Sequence, residues 1–305
     1  MANKRKDILL KTIIEDFPRE CVRFFYKNAA ALFNLKGRFE SLEQELRQIA
    51  PDWEFMQDSK MVDKLLKCSA ASEMLKWLLL LIEIQGYYDP HFTERVFRYF
   101  SRLLDKYGRR VMVLVIYTDT NRNYHPRFDD YQMANTKSRF DFETYKVLDQ
   151  DEALLSADPN FIALVVLTIL KAIQHEINGT DESLLASKIM LVKNLKNRAL
   201  SAEAEAKLLT FIRLYAAFEN PEMNHKFEKE IEHLIHKTSD MGIIEFAIQD
   251  AAEQALEKGI EKGRQEKNKS VVKNLLQKGK LTLDEIADTV EVSQDFVRSI
   301  KMQLG

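Results

Sequence analysis

Long apolar runs, cysteines and an excess of one charge are all scarce in this chain, and each scarcity closes off a class of function. The longest apolar run, Trp77 to Ile82, falls far short of the ~20 residues that span a bilayer. Met1-Ala2-Asn3-Lys4-Arg5-Lys6-Asp7 leads into no apolar signal segment. No membrane partner is therefore expected, and the cytoplasm is the expected compartment. The two cysteines, Cys21 and Cys68, make no disulfide framework and lack metal-ligand spacing. They read as core filling. A net charge of −2 excludes a histone-like binder driven by bulk charge, although a local basic groove would not show in the total. Gly-rich phosphate loops, Cys-x2-Cys pairs and nucleophile elbows are missing as well.

Proline is sparse and uneven: of six, only Pro221 follows Pro159. The first half reads as mixed α/β and the second as mostly helical. At 305 residues the chain should exceed one compact domain. The expected division is a mixed domain over 1–157, a helical bundle over 158–240, a charged helix or linker over 241–267, and a small helix-turn-helix-like unit over 268–305.

Within the first domain, Lys6 to Glu15 and Arg19 to Tyr26 are expected as helices split by Pro18. Phe39, Leu42, Leu46 and Ile49 recur at a and d spacing and predict a third helix closed by Pro51. Strands are expected at Met61 to Cys68, Lys76 to Gln85, Arg110 to Tyr117 and Glu143 to Leu148. The first two are close enough for a hairpin, and the second is apolar on both faces, as a covered central strand is. Asp89 and Pro90 predict a helix start, and Gly108 its end. Asp119 to Asp141 reads as a long polar loop, either covering a substrate or decorating the surface. Helices follow at Phe161 to Glu176, Glu182 to Arg198 capped by Asp181, Ala202 to Phe218 capped by Ser201, and Glu222 to Lys237. In the last unit Thr282-Leu283-Asp284-Glu285 is a capping box. Lys258 to Lys280 carries eight basic residues against two acidic ones, which suits phosphate contacts.

Chemistry is expected where the apolar strand runs into Glu83-Ile84-Gln85. An ionised carboxylate at the end of a buried strand is costly unless something pairs with it. If the first two strands form a hairpin, Asp63 and Glu83 meet near one end of the sheet. Two carboxylates completed by carbonyl, water and phosphate oxygens suit Mg²⁺. The alternative is a structural partner for Glu83, with Arg95 the candidate. Gln85 points the same way as Glu83 and can place a water or phosphate, but it cannot take a proton.

At these residues the chain resembles a known family. Asp-x9-20-(Asp/Glu)-x-Lys is the signature of the PD-(D/E)XK nuclease superfamily, and its branch of Rpn recombination-promoting nucleases and transposase-like proteins typically has Gln in the lysine position. The resemblance covers residues 4–150 and rests on Asp7-x3-Lys11, Val62-Asp63-Lys64-Leu65-Leu66, Ile82-Glu83-Ile84-Gln85 and Arg95-x3-Tyr99. It implies an α/β, restriction-endonuclease-like core, a mixed central sheet flanked by helices, and a DNA endonuclease dependent on Mg²⁺ or Mn²⁺. By the same resemblance Asp63 and Glu83 bind the metal and Gln85 takes the lysine position. Lys11, Arg95 and Tyr99 support the site, and an N-terminal glutamate completes it, Glu45 rather than Glu43. Losing the lysine removes a cation that would stabilise developing phosphate charge. The competing expectation is therefore a weak or inactive nuclease fold serving as a DNA-binding or protein-interaction module. In that case the last helix would offer Arg298 and Lys301 to a DNA groove. DNA is the expected partner, and self-association is left open.

Overall fold

The computed structural model describes residues 2–42, 64–72, 75–108, 110–232, 234, 269, 271–273, 275–276, 282–290, 297–298 and 300–301. They belong to two compact units, 1–238 and 239–305. The N-terminal unit is α/β. Its strands are β1 (Phe39–Ser41), β2 (Lys64–Ser69), β3 (Trp77–Gln85), β4 (Val111–Tyr117), β5 (Phe128–Met133), β6 (Thr136–Asp141) and β7 (Glu143–Lys146). A mixed five-stranded sheet runs β1-β2-β3-β4-β7, and β5 and β6 form a separate hairpin.

The apolar run becomes the middle strand, as its two-sided hydrophobicity predicts. Every residue from Leu78 to Gln85 is buried. β2 pairs with it antiparallel, Lys64 opposite Ile82, and β4 pairs parallel, Glu83 opposite Val115. Both faces are covered. On one, Leu79, Leu81, Val113, Val115 and Tyr117 pack with Phe92, Val96, Tyr99 and Leu103. On the other lie α1 (Ala2–Asp16), α2 (Pro18–Phe25) and the short α3 (Ala29–Leu32). Glu15 of α1 pairs there with buried Lys64, and Phe24 and Phe25 of α2 pack on Tyr145 of β7.

Phe39 to Ser41 is a strand, which corrects the helix expected from the a and d spacing. Its register with β2, Phe39 opposite Cys68, gives the β2 backbone hydrogen bonds that a helix there would withhold. A turn bonded from Gly37 N–H to Asn34 O delivers the chain to it. Only glycine fits at 37, because a Cβ would lie 2.4 Å from Ser69 Cβ. The rest of that expected helix, Glu43 to Ile49, lies outside the described residues.

The crossover from β3 to β4 is α4 (Phe92–Tyr107). It begins later than Asp89-Pro90 predicts: Asp89 accepts from the His91 N–H and pairs with Arg95 instead of capping the helix. Gly108 ends it at φ 76° with its N–H on Leu104 O, the conformation that glycine tolerates best. The segment expected as a loop from Asp119 contains the β5–β6 hairpin, turned at Ala134, φ 52°. Both strands are too polar to reveal themselves by alternation.

Beyond β7 the chain is helical: α5 (Glu152–Ala157), α6 (Ile162–Asn178), α7 (Asp181–Lys196), α8 (Ala202–Tyr215) and α9 (Glu222–Ile231). α6 is buried almost all round from Ile162 to Ile173, as an apolar helix at the centre of a bundle must be. Ser201 caps α8 as expected, whereas α7 is capped by Thr180, reciprocally with Ser183. The Asp181 carboxylate is committed elsewhere, accepting from the Glu219 and Asn220 N–H groups at 3.0 and 2.7 Å.

Lys188 of α7 is 1% exposed and donates to Arg213 O and Ala216 O at the end of α8, with the Phe218 and Phe227 rings 4.6 and 5.0 Å away. Burial pulls its ammonium from 10.5 down to about 8. Between those values the unfolded chain holds more protons, so folding stability rises with pH there. Denaturant titrations from pH 7 to 10.5 should show the wild type gaining up to about 3 kcal/mol relative to Lys188→Met. Parallel pH profiles for the two proteins would contradict this.

The C-terminal unit is held by Val272, Ile286, Val297 and Ile300, with Leu275, Leu276, Leu283 and Val290 at the edge of that core. Its α10 (Leu283–Val290) starts at the expected capping box: Glu285 N–H donates to Thr282 Oγ1 and Thr282 N–H to Glu285 Oε2. The expected linker over 241–267 lies outside the described residues. Among the described residues no helix is long and apolar enough to cross a membrane.

Candidate active site

β3 carries Glu83 and Gln85 on the face covered by α4, and α4 supplies the group that meets both. Arg95 Nη2 donates to Glu83 Oε1 at 3.1 Å and to Gln85 Oε1 at 3.2 Å. Its Nη1 pairs with Asp89. One guanidinium thus serves two carboxylates and an amide. Strand alternation puts residues 83 and 85 on one side, and Arg95 lies one helical turn into α4, where its fork reaches back over the strand end.

Glu83 is 3% exposed, yet its second oxygen, Oε2, is buried without a hydrogen-bond partner among the described residues. Burial pushes the carboxyl above its usual range, while the charges of Arg95 and Lys11 pull it back. Arg95 meets the need for a structural partner at one oxygen and leaves the other unsatisfied. Both polar atoms of Gln85 are engaged: Oε1 accepts from Arg95 and Nε2 donates to Tyr87 O.

The remaining expected residues divide by position. Tyr99 of α4 is buried, and its hydroxyl is held protonated by burial and by the Glu83 charge. Lys11 is buried on α1, where its charge acts on Glu83. Asp63 and Glu45 lie outside the described residues. Arg298 and Lys301 are exposed in the C-terminal unit.

Two participants escaped the sequence reading. Asp89 is the second carboxylate on Arg95, and its only signal was an Asp-Pro pair that also announces a helix start. The other is Lys146, buried on β7, which donates to Asp119 Oδ2, Asn121 O and Tyr124 O at 2.7, 2.9 and 3.1 Å. It anchors the loop after β4, and the Tyr124 hydroxyl of that loop donates to Asp89 O at 3.1 Å. Lys146 thus holds the Tyr124 backbone, and Tyr124 in turn ties the loop to Asp89, the residue that pairs with Arg95.

Both thiols are buried and held protonated: burial raises Cys68 to about 12 and Cys21 higher still. Among the described residues no three of His, Cys, Asp and Glu come together as a metal-binding group. No family model, no curated protein and no solved structure matches the chain, so the chemistry is argued from this geometry.

Proposed function

We propose that the N-terminal unit is a restriction-endonuclease-like core and that the protein is a metal-dependent DNA endonuclease of the recombination-promoting type. The observation that carries this is Glu83: a carboxylate buried near the end of the central strand, with one oxygen held by Arg95 and the other without a protein partner. A desolvated carboxylate oxygen is the donor that Mg²⁺ or Mn²⁺ takes. Glu83 and Asp63 would hold the ion, and Glu45 stands as the additional carboxylate of the site. A bound divalent ion polarises the phosphodiester and lowers the pKa of an attacking water. Arg95 holds Glu83 Oε1 and leaves Oε2 without a protein partner among the described residues. Its guanidinium also lies against Gln85, so a cation stands beside the position where the superfamily has lysine. Gln85 orients Arg95 and moves no proton. Tyr99 stays a neutral hydroxyl beside the carboxylate.

The test is nicking of supercoiled plasmid with Mg²⁺ or Mn²⁺. The wild type is expected to nick, and Asp63→Ala and Glu83→Ala to lose about 10²-fold or more. Undiminished activity in either variant removes that residue from the site.

The commitment of both Gln85 amide atoms within the fold favours a second reading, a non-catalytic nuclease fold that binds DNA or another protein. No nicking with any divalent ion, together with DNA affinity that falls when residues 268–305 are removed, selects this reading. Arg298 and Lys301 are then the proposed groove contacts.

A further inference from the structure

Beside the carboxylate site, the loop after β4 and the β5–β6 hairpin enclose a cleft of about 620 Å³. Two flat surfaces line it. The Tyr88 ring, with the residue 65% exposed, packs edge-on against Tyr124 with centroids 5.1 Å apart. Tyr88 lines the cleft. Arg139, which also lines the cleft, lies 4.1 Å from the Phe128 ring centroid, and its guanidinium donates to the Asp141 carboxylate in bonds of 3.0 and 2.9 Å. A planar guanidinium held at two of its three nitrogens offers a flat stacking surface.

The cleft is also selective in charge. Its two acids are already engaged, Asp89 by Arg95 and Asp141 by Arg139. Arg127, exposed on the wall, meets His125 Nδ1 at 3.3 Å and, among the described residues, pairs with no carboxylate. Its charge is available to an anion.

Exposed, supported ring and guanidinium planes beside a free arginine suit a base with its phosphate. Bases stack on such planes whatever their sequence, and arginine takes the backbone. A duplex cannot use these planes, because its base faces are covered by the neighbouring pairs. We propose that this cleft binds an unpaired nucleotide of a single-stranded DNA segment. The base stacks on Tyr88, and the phosphate lies on Arg127. The proposal deepens the nuclease reading and rests on it for the choice of DNA, since the cleft shares Asp89 with the carboxylate site.

The experiment is binding of a fluorescent oligothymidine, and of a blunt duplex of the same length, to the full-length protein in EDTA, where cleavage cannot intervene. The single strand should bind more tightly than the duplex. Tyr88→Ala should weaken single-strand binding about ten-fold, and Tyr88→Phe, which keeps the ring, should restore it. Arg127→Ala should lower the single-strand affinity and flatten its salt dependence. Preference for the blunt duplex, or equal single-strand affinity in the wild type and Tyr88→Ala, overturns the cleft whatever the plasmid assay gives. Binding that depends on Tyr88 in a protein that never nicks supports the cleft and removes the catalytic reading alone.

Discussion

Replacing Arg95 by methionine is expected to cost about 3–5 kcal/mol of folding stability, the penalty of stranding a buried charge when its partner is removed. Methionine keeps most of the length of the side chain, so the loss reports charge rather than a cavity. The wild-type guanidinium is shared by Glu83, Asp89 and Gln85, and all three lose that donor at once, Asp89 keeping the His91 N–H. Glu83 is the most affected, because Oε1 loses Arg95 while Oε2 has no hydrogen-bond partner among the described residues. Adding Glu83→Gln to Arg95→Met removes the stranded charge and should recover about 1–3 kcal/mol as a coupling energy. Urea denaturation of the four proteins of this cycle gives the answer. A double variant whose loss equals the sum of the two single losses would mean that the two groups do not interact in the folded state.

Lys146→Met is expected to be of similar size, about 3–5 kcal/mol, for a related reason. The ammonium is 2% exposed and spends its protons on one carboxylate and two backbone carbonyls. Its removal leaves Asp119, itself 4% exposed, as an unpaired buried charge. The effect should also be visible at a distance. Tyr124 accompanies the loop that Lys146 holds, and its hydroxyl reaches Asp89, so hydrogen exchange should accelerate over the loop after β4 and at the start of α4. Confinement of faster exchange to β7 would break the proposed link between the two ion pairs.

Much of this fold is legible from local pattern. Residues 77–85 announce a covered strand because no alternation marks a wet face, and the structure buries Leu78 to Gln85 throughout. Gly108, Ser201 and Thr282 mark helix ends by chemistry acting within a few residues, and each acts there as expected. Where local signals competed, tertiary contacts chose. Phe39 belongs to an a and d pattern and also precedes a residue that β2 can pair with, and the β2 backbone took it. Thr180 and Asp181 are both good caps, and Asp181 was drawn to the backbone at Glu219 and Asn220, where its charge accepts two bonds. Asp89 was drawn to Arg95 in the same way.

The candidate site divides along the same line. That a carboxylate ends an apolar strand, and that Gln85 points with it, is written in the order of residues, because strand side chains alternate whatever surrounds them. A partner for Glu83 was required by the cost of burying its charge. Which partner, and at which oxygen, was decided only by the crossover: a parallel β3–β4 pair forces the chain through α4, and that helix brings Arg95 over the strand end while its approach brings Asp89 to the same guanidinium. Periodicity records which face of an element is buried. It carries no record of how one cation is divided among acceptors that meet only when the sheet closes.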